Sequence, residues 1–502
     1  MSWFEPLPVA QEMRDTDRWA IEQRGIPGPE LMEDAGAALA REVVALAPDG
    51  PIAMVCGKGN NGGDGFVSAR LLREQGREVR VLVAGEIEGI GGDAATALER
   101  LGEAPEPFSP SALEGAAVVV DCLLGTGSSG APRGAIGAAI ESIVASGLPV
   151  VACDVPSGVD ASTGEVAEPA IRADETVTFH AAKPGLWIAP GKDHAGEVRV
   201  VDIGIPDGAP VETRIGLIGD DVIQEVPRRL AAGTKFVSGH VLVVGGSLGL
   251  TGAPSMASEA AMRAGAGYVT ACVPLSLNAI FEVKLTEVMT KPLPDDGGAL
   301  TAEGAETVLD EAERRGGALV LGPGMGRADG TVALIHDIAA RAKVPVVLDA
   351  DGLNAHAGEL ERLKQRAAPT ILTPHAGELG RLLGIESEEV GARRLHYARE
   401  AARASGAIVV LKGDVTLVAE PEGRVGVSPG GAPALATAGT GDVLSGVLAA
   451  MLAKGLDPFT AACAGVVLHV RAGRRAAERQ GGPGGAVATD VIAALPASLH
   501  SS

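Results

Sequence analysis

A chain of 502 residues is long enough for two or three domains. Its 42 Lys and Arg against 64 Asp and Glu give a formal charge of −22, which repels phosphate backbones and anionic lipid, and aromatics at 2% leave few platforms for base stacking. Gly (70) and Pro (32) are abundant but follow no G-X-Y period. Collagen, nucleic-acid binding and membrane-surface binding are therefore set aside, and any bound phosphate must be held by local devices such as backbone N–H groups.

The opening MSWFEPLPVAQEMRDTDRW has neither a basic n-region nor an apolar core, so no signal peptide is expected. No apolar run approaches the ~18 residues of a membrane span. Five cysteines (Cys56, Cys122, Cys153, Cys272, Cys463) are odd in number and lack a CxxC. They read as reduced thiols of a cytoplasmic protein, not as a disulfide set or a zinc site.

From residue 50 the chain alternates apolar strands with helices. PIAMVCG (51–57) predicts a strand, FVSARLLREQG (66–76) a helix and EVRVLVAG (78–85) the next strand. Further strands are predicted at 116–125, 148–155, 175–180 and 197–206. Residues 207–230 break this rhythm and read as a domain junction. The alternation restarts with strands at 240–247, 268–274, 318–326, 345–351, 369–375 and 407–420, and a helix at 253–265. An Ala/Gly-rich helical pair follows at 442–477. Near-continuous Val/Ile/Ala strands separated by helices indicate parallel sheets covered on both faces. The two halves share no motif, so the chain reads as a fusion and not a duplication.

In the first half, GKGNNGGDG (57–65) satisfies GxGxxG between a strand and a helix, which alone is weak evidence for a dinucleotide turn. Its two Asn and one Asp depart from that pattern by placing amide and carboxylate oxygens beside backbone N–H groups. DCLLGTGSSG (121–130) and DVPSGVD (154–160) end two further strands. Carboxyl ends of strands in an open α/β sheet converge on one crevice, so Asn60, Asn61, Asp64, Asp121, Asp154 and Ser157 can meet there. Oxygen-only ligands of this kind suit a hard cation.

In the second half, AGTGD (438–442) opens a helix. Gly439, Thr440 and Gly441 offer backbone N–H groups to a transferring phosphoryl, and Asp442 can accept a hydroxyl proton. There is no GxxxxGK[ST]. Thr373-Pro374 is expected as N-cap and first position of a helix, leaving His375 at a ligand-facing turn. Lys412 is expected on the phosphate side.

These motifs resemble two families. LMEDAG (31–36), GKGNNGGDG, DCLLGTG, DVPSGVD and TVTFHAAKPGL (176–186) resemble the NAD(P)H-hydrate epimerase domain. GGSxxxTGAP, GPGMG, TPHAGE, LKGDVT and AGTGDVL resemble the ribokinase-like, ADP-dependent NAD(P)H-hydrate dehydratase. The resemblance implies an α/β chain of two domains. Residues 1–212 would form an N-terminal Rossmann-like α/β/α epimerase domain, 213–225 a junction, and 226–502 a C-terminal ribokinase-like α/β dehydratase domain.

For the epimerase it implies K+ bound through Asn61, Asp121 and Ser157. Substrate contacts are implied at Asn60, Asn61, Gly62, Gly63 and Asp64, at Gly125, Thr126, Gly127, Ser128, Ser129, Gly130 and Ala131, and at Asp154, with Lys183 as a helper. For the dehydratase it implies substrate contacts at Ala253, Gly324, His375 and Asp442. Nucleotide contacts are implied at Lys412, Gly413, Asp414, Val415, Thr416, Gly439, Thr440 and Gly441, with Mg2+ and with ADP as co-substrate. TKFVSG (234–239) keeps Lys235 but not the flanks usual in that family.

Asp154 is expected to steady the iminium-like cation left when hydroxide departs from the ring carbon C6, and to pass the proton; Asp442 is the expected base in phosphoryl transfer. The expected partners are hydrated NADH and NADPH, ADP or ATP, and further copies of the chain in a homo-oligomer. The rival readings are a small-molecule kinase of the ribokinase-like class with a fused accessory domain, and a first half that only binds nucleotide as a regulatory module.

Overall fold

The computed structural model describes residues 1–229, 234 and 236–500. The chain divides into two compact units, Pro6–Gly216 and a second made of Met1–Glu5 with Leu217–Ser502. It starts with β1 (Phe4–Pro6) and two helices, α1 (Ala10–Arg24) and α2 (Gly28–Leu46). The first unit continues through β2 (Ile52–Cys56), α3 (Asn60–Glu74), β3 (Val79–Val83), β4 (Glu106–Pro107), β5 (Val118–Cys122), β6 (Val150–Cys153), β7 (Glu175–Phe179) and β8 (Glu197–Val201). Its seven strands lie in the order β4-β3-β2-β5-β6-β7-β8, and every pairing is parallel.

Both faces of this sheet are buried. Leu39, Phe66 and Leu72 pack on one side, and Ile140 and Ile143 of the helix Gly134–Ser146 on the other, which makes three layers. That is why the strands are apolar throughout and do not alternate. Cys56, Cys122 and Cys153, far apart in sequence, fall on the adjacent strands β2, β5 and β6 as buried free thiols.

The helix expected at 66–76 begins six residues earlier, at Asn60. Most of the glycine-rich motif is therefore the first turns of α3, and only Gly57, Lys58 and Gly59 form the loop. The glycines serve close approach. A Cβ on Gly62 would lie 2.0 Å from the Gly57 carbonyl oxygen, and one on Gly57 would lie 2.1 Å from that of Leu123. Without side chains there, the start of α3 seats directly on the strand ends, which turns Asn61 and Asp64 inward.

The stretch expected as a junction is structured, with β9 (Ile215–Ile218) followed by a 3-10 turn over Asp220–Glu225. The second unit then runs through β10 (His240–Val244), β11 (Tyr268–Pro274), β12 (Met289–Leu293), the small hairpin β13 (Asp295–Asp296) and β14 (Ala299–Leu300), β15 (Ala318–Leu321), β16 (Val346–Leu348) and β17 (Thr370–Leu372). The single segment expected at 407–420 splits into β18 (Ile408–Leu411) and β19 (Leu417–Ala419), an antiparallel pair joined through Lys412–Thr416. β20 (Val425–Val427) follows.

The sheet order is β1-β9-β20-β19-β18-β17-β16-β15-β10-β11-β12; the strands from β18 to β12 are parallel, with β19 and β20 added antiparallel. The expected helical pair is Thr440–Ala453 and Pro458–Arg479. Lys235 lies outside the described residues.

The first residues of the chain complete the second core. Trp3 is 2% exposed and stacks on Phe459 with ring centroids 6.4 Å apart; Phe4 meets the same ring at 6.3 Å. Truncating a buried Trp costs ~3–5 kcal/mol. Trp3→Ala should therefore lower the melting transition of the second unit and leave that of the first unchanged, as read by calorimetry on the full chain.

Candidate functional site

In the first unit a cavity of about 820 Å³ opens at the carboxyl ends of the strands, lined among others by Asn60, Asn61, Asp64, Gly125, Thr126, Gly127, Ser128 and Asp154. Gly62, Gly63, Ser129, Gly130 and Ala131 are not among its lining residues. Asp154 follows β6 and holds a left-handed φ of 66°, a strained conformation for a non-glycine residue and common at functional positions.

The Asp154 carboxylate is saturated. Oδ1 accepts from Lys183 Nζ at 2.7 Å and Thr178 Oγ1 at 3.2 Å; Oδ2 accepts from Thr126 N at 3.0 Å and from the Thr126 hydroxyl. Lys183, 1% exposed, also donates to Thr178 Oγ1 at 2.7 Å and Phe179 O at 2.9 Å. Burial alone would raise the Asp154 pKa, but the Lys183 ammonium and the Thr126 donors outweigh it and hold the group below its ordinary value.

Asn61, Asp121 and Ser157 converge on one peptide unit. Asn61 Nδ2 donates to Leu124 O at 3.1 Å, and Leu124 N donates to Ser157 Oγ at 3.0 Å. Ser157 Oγ donates to Asp121 Oδ1 at 2.7 Å, and Ser157 N to Asp121 Oδ2 at 2.8 Å. Asn61 Oδ1 is buried without a hydrogen-bond partner. Asp121 is fully buried, and burial pushes its pKa up to about 6 against the hydrogen bonds from Ser157 and Leu123. An orphaned amide oxygen beside a buried carboxylate is a donor set that fits a hard monovalent cation.

Two further carboxyls face the same cavity. Asp64, from α3, has its pKa raised well above the ordinary value, by burial first and then by Asp154 and Asp17. Asp17, from α1, is not among the residues expected from the sequence, because it lies in no glycine loop and at no strand end. The available signal was its place between Met13 and Ile21 at i, i+4 and i+8, one stripe of α1 that lines the cavity. Arg14, Lys58 and Arg133 add cationic side chains to the lining.

In the second unit the strand ends meet around Asp349, another residue not singled out in the sequence, within the strand expected at 345–351. Asp349 is 2% exposed. Oδ1 accepts from Thr373 Oγ1 at 2.7 Å and Lys412 Nζ at 3.2 Å, and Oδ2 from Ser445 Oγ at 2.6 Å. It thereby joins the ends of β16, β17 and β18 to the helix Thr440–Ala453. The next residue, Ala350, has a strained φ of 49°.

Lys412 Nζ also lies 3.6 Å from Glu378 Oε2, and within 3.5 Å of where a Cβ on Gly441 would stand. Burial lowers its pKa, and Asp349 and Glu378 raise it to a net upward shift. Asp442 opens the same helix. Its pKa is pushed up to about 7 by burial and by Asp349, with Lys412 opposing.

Ala253 and Gly324 are neighbours, since a Cβ on Gly324 would come 3.3 Å from that of Ala253. His375 is itself the N-cap of the helix Ala376–Leu383, so the expected capping by Thr373 is corrected; the Thr373 hydroxyl is spent on Asp349. His375 Nδ1 accepts from Gly377 N and Glu378 N, which leaves the ring proton on the exposed Nε2. The Thr440 hydroxyl donates to Leu435 O and Thr437 O, and its N–H donates to Thr437 O at 3.3 Å, so the expected Thr440 contact to an anion is corrected: both donors are spent within the turn. Gly439, at φ 90°, would place a Cβ 2.6 Å from Met256. The Lys412–Thr416 loop is shaped by Arg394, which donates to Val415 O at 2.8 Å and packs against Gly413, and by Ser428, whose Oγ accepts from Thr416 N at 2.9 Å. Asp414 Oδ1 accepts from Gly431 N at 3.2 Å.

A family model described as NAD(P)H-hydrate dehydratase matches residues 241–497, and one described as YjeF-related protein N-terminus matches residues 28–185. A bifunctional NAD(P)H-hydrate repair enzyme of Moorella thermoacetica is 41% identical over 99% of this chain and 97% of its own. The enzyme of the same description from Salinibacter ruber is 40% identical over 98% and 95%. A solved ADP/ATP-dependent NAD(P)H-hydrate dehydratase from Bacillus subtilis, co-crystallised with ATP and Mg2+, is 28% identical and covers 56% of this chain and 96% of its own, with a TM-score of 0.48.

Removing one member of a buried ion pair strands the other, at ~3–5 kcal/mol. Lys183→Met should destabilise the first unit by about that much in urea denaturation at pH 7. Because Asp154 is held below its ordinary pKa, the stabilisation is present above the unfolded value of ~3.9 and is lost as the pH falls through the folded value. The wild-type and variant curves should therefore converge in acid.

Proposed function

The chain belongs to the bifunctional NAD(P)H-hydrate repair enzymes, and from that premise we propose that its first unit interconverts the R and S hydrates of NADH and NADPH while its second dehydrates the S hydrate, with ADP as phosphoryl donor. The observation that carries this reading is the pair of separate strand-end sites. One is built around a fixed Asp154 carboxylate, the other around an anion-binding helix start with Asp442 beside it. A cytoplasmic site of action, assembly as a homo-oligomer, and division of the activities near residues 212–226 belong to the same proposal.

In the first unit the hydrate's C6 hydroxyl leaves as the ring nitrogen lone pair forms an iminium-like cation, and water then adds to either face. Asp154 is suited to steady that cation. The expectation that it also passes the proton is not supported by its surroundings: both oxygens are occupied by donors and Lys183 keeps it ionised. Lys58, Arg133 and Arg14 supply positive charge for the dinucleotide phosphates on an otherwise acidic chain. The backbone of Asn60–Asp64, at the start of α3, adds N–H groups. A K+ held by Asn61, Asp121 and Ser157 would anchor the Gly125–Ala131 loop and offset substrate charge.

In the second unit Asp442, when ionised, takes the C6 hydroxyl proton as that oxygen attacks the terminal phosphorus. The P–O bond to the nucleotide breaks, and charge on the transferring group falls on the N–H groups of Gly439 and Gly441 beside Lys412. The ring nitrogen then expels phosphate, and loss of a proton from the adjacent ring carbon completes the dehydration. His375, Ala253 and Gly324 are assigned to the hydrate, and the Lys412–Thr416 loop to the nucleotide. Among the described residues no group of three or more Asp, Glu, His or Cys side chains forms a metal site, so Mg2+ would be carried on the nucleotide, whose phosphates it would neutralise.

Incubating hydrated NADPH with ADP or ATP should restore the reduced-nicotinamide absorbance and release inorganic phosphate. A stable phosphorylated product in place of free phosphate would favour the kinase reading. Asp442→Asn should cut dehydration by ~10²–10⁴ and leave R/S exchange intact. As a base raised to about 7, Asp442 should make dehydration climb as the pH rises through 7, a limb the variant lacks. Residues 6–216 expressed alone should retain the exchange.

A further inference from the structure

Asp17 is a third carboxyl in the first-unit cavity, and it differs from Asp154 in every respect that matters for moving a proton. Asp154 has four donors on its two oxygens. Asp17 makes no hydrogen bond or ion pair with any described residue, and its carboxyl faces the cavity from α1. From α3 it meets Asp64, from the end of β6 Asp154, and from the loop after β7 Lys183. The remaining charged groups of the wall are Lys58, Glu86, Asp93 and Arg133, with Arg14 on its own helix.

The charge count inside this cavity is decisive. Asp17, Asp64 and Asp154 share the single buried ammonium of Lys183, and that ammonium is bonded to Asp154. Three carboxyls around one committed cation ionise less readily than in water, and the pKa values of Asp17 and Asp64 are both raised. Asp64 is buried and has Asp154 and Asp17 as like-charged neighbours, and burial first and these neighbours second raise its pKa well above the ordinary value. Asp17 is less enclosed and reaches the cavity directly.

We propose that Asp17 is the general acid and base of the hydrate exchange assigned above to the first unit, on which reading the proposal rests. Its carboxylic acid gives a proton to the C6 hydroxyl as the C6–O bond breaks, so that water leaves and the ring nitrogen lone pair forms the C=N bond. The cation is held against the Asp154 carboxylate. Water then adds to the other face, a C6–O bond forms, and the surplus proton returns to the Asp17 carboxylate directly or through the released water. Atoms and charge balance, Asp17 ends in its starting state, and no co-reactant is consumed. Burial, opposed by Lys183, lifts its pKa to about 6, close enough to neutrality for transfer in both directions.

The test uses the full chain without nucleotide, so the second unit is silent, and follows R/S exchange of an enriched NADH hydrate by chromatography. Asp17→Asn should slow exchange ~10²–10⁴-fold towards the spontaneous rate while its thermal transitions, and its dehydration of S hydrate with added ADP, stay at wild-type values. In the wild type exchange should fall as the pH rises above about 6, where the acid is lost; Asp17→Asn should lack this limb, and Asp17→Glu should restore part of both rate and limb. If Asp17→Asn does not fold, Asp17→Ser and Asp17→Glu carry the same comparison. A wild-type rate in Asp17→Asn or Asp17→Ser, or a slowed variant with an unchanged pH limb, overturns the assignment while leaving the epimerase reading standing. A wild-type enzyme that does not exchange the hydrates overturns that reading and this proposal with it.

Discussion

A lysine ammonium bonded to a buried carboxylate organises each strand-end site, the lysine being buried in the first and half-buried in the second. In the first unit Lys183 is bonded to Asp154, and in the second Lys412 to Asp349. Taking such a pair out of water costs several kcal/mol per ion and is offset only where extra donors complete the geometry. Thr126 and Thr178 do this for Asp154, and Thr373 and Ser445 for Asp349. The consequence falls on the neighbouring carboxyls. Burial first, and the neighbouring carboxylates after it, lift Asp17 to about 6 and Asp442 to about 7 against the opposing pull of Lys183 and Lys412. Each site thus sets a hydrogen-bonded, ion-paired carboxylate beside a carboxyl of raised pKa.

Close packing through small residues makes these sites possible. With aromatics at 2%, contact comes from helices drawn against strands and helices, not from large side chains. A Cβ on Gly446 would stand 2.0 Å from the Ala257 carbonyl oxygen, and that glycine lets the helix carrying Asp442 lie on the helix carrying Ala253. Gly57 and Gly62 do the same for α3. At each of these points an added methyl group would push apart the elements that aim the catalytic carboxyls.

The acidic surface does not conflict with phosphate chemistry. A charge of −22 rules out broad attraction of polyanions, yet helix starts at Asn60 and Thr440, with Lys58, Arg133 and Lys412 near them, create local positive potential inside clefts. Selection for small dinucleotide ligands over nucleic acid follows from that contrast.

The sequence by itself determined the α/β class, the strand order along the chain, and the glycine loops, because β-branched runs and Gly-rich strand ends are local signals. It also marked Asn61, Asp121 and Ser157 as able to meet, and in the folded chain Asn61 and Ser157 both bond Leu124 while Ser157 donates to Asp121. Tertiary structure alone decided the rest. Nothing local distinguishes Asp349 from its neighbour Asp351, since its role comes from three other elements closing on it. Asp17 gains its raised pKa from burial against elements remote in sequence, with Lys183 opposing and Asp154 adding to it. The extension of the glycine motif into α3, the seating of Trp3 in the second unit and the capping of a helix by His375 likewise depend on what packs opposite. Protonation and saturation of a carboxyl are properties of its surroundings, and a linear pattern of residues does not contain them.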